Sequence, residues 1–221
     1  MHAEVGLRWT GTVAFLAVAG YSVARLAAAH RAPAGYPGRH RAVDVAHVLM
    51  GAGMSAMASP VGGPLPSPAW QTIFLLLGAW FAGSWWHERR TGRPAYDGMG
   101  WHGTGLHHTV AALAMVYMLA AMPHAGHDTG HDTGHDTGPD TGPDTGVWLT
   151  GHAGPGVALP LVGWGLVAYF GGSAVVLVAR TDWRPAPRAT APSILLAPRL
   201  TATCQATMAL GNGYLLLAML G

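Results

Sequence analysis

Long apolar stretches separated by short blocks of arginine most constrain what this chain can form. They fall at residues 7–29, 42–58, 69–88, 102–122, 156–179 and 197–220. A helix needs about 20 residues to cross the hydrocarbon core of a bilayer, and only the second stretch is clearly shorter. Charged residues make up 10% of the 221 residues, whereas soluble domains carry about 25%. The sequence therefore predicts an all-α fold: a polytopic membrane helix bundle with six transmembrane helices, forming one domain over residues 1–221.

The placement of the basic residues indicates how such a bundle is oriented. All 12 are arginine, and all except Arg8 gather around the first, third and fifth loops between the apolar stretches. The second and fourth loops, 59–68 and 123–155, contain none. Because cytoplasmic loops carry the excess of basic residues, we predict a multi-pass protein of the cell membrane with both termini and the fourth loop outside.

The fourth loop contains a tetrapeptide repeat. Residues 127–138 read HDTG three times and residues 139–146 read PDTG twice. Since no apolar residue is present to join a core, we expect this external loop to be disordered. Its histidines, His127, His131 and His135, give two interpretations: a weak trap for divalent metal ions, or a solvated linker expanded by repeat slippage.

Three predicted helices each carry soft or polar side chains on one face, within about 80 to 100° of arc on an ideal helix. The second helix carries His47, Met50, Met54 and Met57. The fourth carries His107, His108, Met115, Met118 and Met122. The sixth carries Cys204 and Met208, with Asn212 beside them. If the three stripes face one another, they form a column of thioether, imidazole and thiol groups through the bundle.

Such a column suits a soft metal, and copper(I) is the predicted ligand. Asp44, one turn before His47, is expected either to orient that imidazole or to cap its helix. A methionine stripe also serves as plain packing, so a non-catalytic membrane subunit remains an alternative. A third hypothesis is a b-type haem protein, with His47 and His108 on one haem and His124 and His152 on another.

Other classes of function find little support in the sequence. It contains no GxSxG, HExxH or Walker phosphate-loop motif, so the chain is not expected to be a hydrolase of those kinds. No basic patch with interleaved aromatic residues is present, which argues against nucleic acid as a partner. The expected partners are the lipid bilayer and a metal ion, with a protein partner or a homo-oligomer left open.

Two phrases carry a resemblance to a known family. They are HVLMGAGMSAM at residues 47–57 and HHTVAALAMVYM at residues 107–118. With them, the chain resembles an actinobacterial family of membrane proteins described as domain of unknown function 5134. The resemblance covers most of the chain outside the HDTG loop. It implies a helical membrane fold and assigns no activity.

Overall fold

The prediction of an all-α fold is confirmed. The computed structural model of the chain describes residues 2–31, 38–91, 105–121, 160–181 and 198–220. Within these ranges lie six helices and no strand: α1 (His2–Arg31), α2 (Gly38–Ala58), α3 (Ser67–Thr91), α4 (Gly105–Ala120), α5 (Pro160–Arg180) and α6 (Pro198–Leu220). Each helix overlaps one predicted stretch. The HDTG loop and Met122 lie outside the described residues.

The helices pair as three antiparallel hairpins, α1 with α2, α3 with α4, and α5 with α6. Helices α2, α4 and α6 also contact one another, and they run in the same direction. His47 meets His108, and Gly53 meets Met115 further along the same two helices. We call the end where α2, α4 and α6 begin the arginine end, because the three arginine-containing loops of the sequence connect there.

The register of α1 against α2 is fixed near both ends by buried arginines. Arg8 donates a hydrogen bond to the carbonyl of Ser59, 3.3 Å away, just after α2 ends. A cation is favourable there because the last carbonyls of a helix carry partial negative charge. Near the other end of α1, the Nε atom of Arg25 lies 3.3 Å from Oδ2 of Asp44 on α2.

Two glycines allow the first two hairpins to pack at close range. A Cβ atom on Gly51 of α2 would lie 2.9 Å from the carbonyl oxygen of Phe15 on α1. A Cβ atom on Gly105 of α4 would lie 2.7 Å from the carbonyl oxygen of Phe81 on α3. Small residues at such crossings bring helix backbones together, as in membrane helix pairs.

The outer faces of the bundle are apolar. Leu161 and Val175 of α5 are 85% and 69% exposed, and Leu76 of α3 is 68% exposed. Within the described residues, two helices are long and apolar enough to cross a membrane, Val5–His30 and Pro160–Arg180. The apolar helix α4 is shorter, at 16 residues.

Candidate metal site

A small cavity lies where α2, α4 and α6 meet. Its volume, about 10 Å³, is space for roughly one water-sized sphere. Its polar and sulfur-bearing walls are His47, Met50, His107, His108, Gln205, Met208 and Asn212. The three helices with the predicted stripes therefore meet at this cavity. It is a single small space and not a column through the bundle.

Three imidazoles meet at this cavity. The ring centroids of His47 and His108 are 5.5 Å apart, with 42° between the ring planes. His107 lies 5.7 Å from His108 in an edge-on arrangement. Phe81 of α3 stacks on the His108 ring at 4.7 Å, which holds that imidazole between α2 and α3. His47 and His108 are both buried.

The spacing of His47 and His108 is compatible with a shared ion. A metal lies about 2 Å from a ligating imidazole nitrogen, and therefore about 3 Å from the ring centroid. Two imidazoles on one ion consequently have centroids about 5 to 6 Å apart. The observed 5.5 Å lies within this range, so the separation of the two rings does not exclude a shared ion.

His107 is turned toward a different neighbour. Its Nδ1 atom lies 3.0 Å from the hydroxyl oxygen of Tyr169 on α5, and the tautomer of the ring decides which atom donates. The ring also meets the edge of Phe170. His107 thus links the cavity to α5, while His47 and His108 face each other between α2 and α4.

Two amide side chains on α6 complete the polar wall. Asn212 is 1% exposed, and its Oδ1 atom accepts no hydrogen bond from the described residues. A buried oxygen in this state favours a hydrogen-bond donor or a cation in the cavity. Gln205, also buried, was not among the predicted ligands. The signal was available, because an amide in a helix predicted to span the membrane is expected to face other helices.

The predicted ligands divide into groups by their position. Those that line the cavity are His47, Met50, His107, His108 and Met208. Met54, Met57, Met115 and Met118 do not line it, and they lie in the same hydrophobic core cluster as Met50 and Met208. Cys204 is half-buried and interacts electrostatically with Arg25 and Asp44. Met122 lies outside the described residues. Five of the predicted ligands therefore line the cavity, and the other predicted ligands that the structure describes lie elsewhere in the bundle.

Asp44 has a role that neither sequence-based alternative included. Its carboxylate forms a buried ion pair with Arg25. Among the described residues, no group of three or more histidine, cysteine, aspartate or glutamate side chains is arranged to hold a metal ion. A metal at the cavity would consequently need the thioethers of Met50 and Met208 beside the imidazoles, and thioether ligands favour a soft ion.

Comparison with known proteins places the chain in a family without naming an activity. Searches of curated proteins and of solved structures returned no match. Residues 39–219 match the profile of a family described as Domain of unknown function (DUF5134). The matched segment includes α2 to α6 almost completely and all the walls of the cavity. The chain therefore belongs to the DUF5134 family.

Proposed function

We propose that this chain is a multi-pass protein of the cell membrane that binds copper(I) in the cavity between α2, α4 and α6. The proposal rests on one observation: His47, His108, Met50 and Met208 all line the same small cavity, and the two imidazoles are in contact there. The proposed activity is binding or handling of the ion within the membrane, with no chemical reaction on a substrate.

The proposed membrane position, with all six helices spanning, rests on the distribution of side chains. Apolar residues such as Leu76, Leu161 and Val175 cover the outside of the bundle. The loops at the arginine end carry the basic residues, and those at the opposite end carry none. This asymmetry favours an arginine end in the cytoplasm, with both termini and the HDTG loop outside.

The choice of copper(I) rests on ligand chemistry and charge. Both ligand types, imidazole and thioether, are neutral; thioether is soft and imidazole is borderline, and the thioethers favour copper(I) over hard cations. A monovalent ion brings one positive charge into the bundle, which is less costly to bury than a divalent ion's two. Asn212 lines the same space, and its buried Oδ1 atom offers a partial negative charge beside the ion.

The two alternatives receive less support. A haem is a planar macrocycle and needs a broad slot between its axial ligands, whereas the cavity at His47 and His108 has a volume of about 10 Å³. A packing-only subunit is favoured by the position of Met54 and Met115 in the apolar core. That alternative does not explain why imidazoles and amides converge at one point.

The test is a double substitution of the two facing imidazoles. We expect His47→Ala with His108→Ala to abolish stoichiometric copper(I) binding, because the imidazoles are the strongest ligands present. Competition with a copper(I) chelator under reducing conditions measures the affinity. Binding to the unmodified protein should also weaken at acid pH, because protons compete for the imidazole nitrogens.

A matched control uses histidines that are exposed and remote from the cavity. His30→Ala with His87→Ala removes two imidazoles from the surface, and its affinity should match that of the unmodified protein. Circular dichroism establishes that both double variants remain folded. Equal copper affinity in the folded His47/His108 variant would overturn the proposal and leave helix packing as the role of these residues.

A further inference from the structure

We propose that the buried Arg25–Asp44 ion pair closes a cation route that leads from the arginine end to the cavity. In this proposal the guanidinium of Arg25 occupies the place where Asp44 would receive an incoming cation. The proposal rests on the proposed function, because it takes the cavity as the place where that cation binds. Displacement of Arg25 from Asp44 then controls access to the site.

The ion pair is enclosed by three helices. The Nε atom of Arg25 on α1 lies 3.3 Å from Oδ2 of Asp44 on α2, and the two side chains are 5% and 3% exposed. Arg25 also donates a hydrogen bond to the hydroxyl of Thr201 on α6. The ring centroid of Tyr21 lies 5.9 Å from the guanidinium carbon. The guanidinium therefore has a carboxylate, a hydroxyl and an aromatic ring around it, which are groups that hold cations.

The ion pair lies next to the cavity on the side of the arginine end. Asp44 comes three residues before His47 on α2, and Thr201 comes four residues before Gln205 on α6. Three or four residues are one helical turn, a rise of about 5 Å. Because His47 and Gln205 line the cavity, a cation at the position of Arg25 would be one turn away from it on both helices.

A purely structural role is a weaker account of this pair. Replacing a buried ion pair by apolar residues of similar volume is often neutral or stabilising, so such a pair is poor at adding stability. Ionisable residues inside membrane helices usually mark ion or substrate pathways. The helix pair α1 and α2 also has the Arg8 contact and the close approach at Gly51 to hold it together.

Cys204 provides a reporter within the chain itself. It is the only cysteine, it is half-buried three residues after Thr201 on α6, and it interacts electrostatically with both Arg25 and Asp44. Its modification by a cationic and by an anionic methanethiosulfonate reagent measures access for each sign of charge. Because both reagents react with the same thiolate, the ratio of the two rates does not depend on how much thiolate is present.

The single substitutions should change this ratio in opposite directions. Arg25→Gln leaves the carboxylate of Asp44 without its guanidinium, so the ratio of cationic to anionic rates should rise about tenfold, the effect of one unit charge at close range. Asp44→Asn leaves the positive charge, so the ratio should fall about tenfold. The neutral double variant Arg25→Gln with Asp44→Asn should return to the ratio of the unmodified protein.

A lone buried charge can prevent the single variants from folding, so two variants without a lone charge are also measured. Thr201→Val removes one of the groups that hold Arg25 while preserving side-chain shape and both charges. It should increase the rate of modification by the cationic reagent several-fold. The neutral double variant contains no lone charge, and it should be modified faster than the unmodified protein by both reagents.

The outcomes separate this proposal from the proposed function. In each single variant, an equal change in the cationic and anionic rates would leave their ratio unaltered. That result would mean that the ion pair only holds the helices together, and it would refute the route. Unchanged rates in the Thr201→Val and double variants also refute it. A protein that shows the opposite charge effects but binds no copper refutes the proposed function alone. Copper binding without a charge effect refutes the route alone.

Discussion

Predicted ligands occur at the same helical spacing in two halves of the bundle interior. The cavity lies in only one of these halves. The cavity half, nearer the arginine end, contains His47, Met50, His108, Met208 and Asn212 around a small space. The packed half, further along α2 and α4, has the methionines Met54, Met57, Met115 and Met118, which share one hydrophobic core cluster with Met50 and Met208 but do not line the cavity. Equal helical spacing therefore produces a candidate site in one half and packing in the other.

Two phenylalanine rings fit against glycines in the packed half. A Cβ atom on Gly53 would lie 2.6 Å from the ring of Phe74, and one on Gly211 would lie 2.3 Å from the ring of Phe15. These glycines leave room for the rings, which together with the methyl group of Met54 fill the packed half. In the cavity half, a space of about 10 Å³ remains between the side chains. In this bundle, methionines of the stripe are therefore candidate ligands only where the neighbouring side chains leave a space.

The largest expected effect is on stability in the packed half. Met115 is fully buried, so Met115→Ala should lower the free energy of unfolding by about 2 to 5 kcal/mol through the cavity it leaves. Leu113→Ala is the matched control, because Leu113 lies on the same helix and is 50% exposed. Denaturant unfolding in detergent measures both. A loss in Met115→Ala no greater than in the control would mean that this half is not tightly packed.

A second prediction compares the methionines of the two halves directly. Met50→Leu with Met208→Leu should weaken copper(I) affinity about tenfold, or about 1.4 kcal/mol, because two thioethers at the cavity are lost. Leucine nearly conserves the volume of methionine, so the fold should persist. A chelator competition assay gives the affinity.

The control for that pair is the equivalent change in the packed half. Met54→Leu with Met115→Leu removes the same number of sulfur atoms, and its affinity should remain within about twofold. If both double variants lose affinity equally, copper is bound along the whole stripe, and the distinction between the halves is wrong.

The sequence predicted the six helices, and five of the ligands predicted from it line the cavity. Apolar length defines a membrane-type helix without knowledge of its neighbours, and the arcs of His47 and His108 follow from helical geometry alone. The filling of the packed half by Phe15 and Phe74 depends on which helices are adjacent. The pairing of Asp44 with Arg25 depends on the register between α1 and α2. Neither kind of contact is encoded in the spacing within one helix.

The smallest expected effect concerns the stability of the cavity half. The Oδ1 atom of Asn212 is buried and accepts no hydrogen bond from the described residues, and a buried polar atom in this state lowers stability. Asn212→Leu should therefore raise the free energy of unfolding of the metal-free protein by about 1 kcal/mol, while weakening copper binding. Tyr214→Leu, at an exposed position of the same helix, should change neither quantity. Thermal unfolding in metal-free detergent solution and the chelator assay measure the two effects. A decrease in stability would mean that the amide already has a partner in the folded bundle, and the two halves would then be packed equally well.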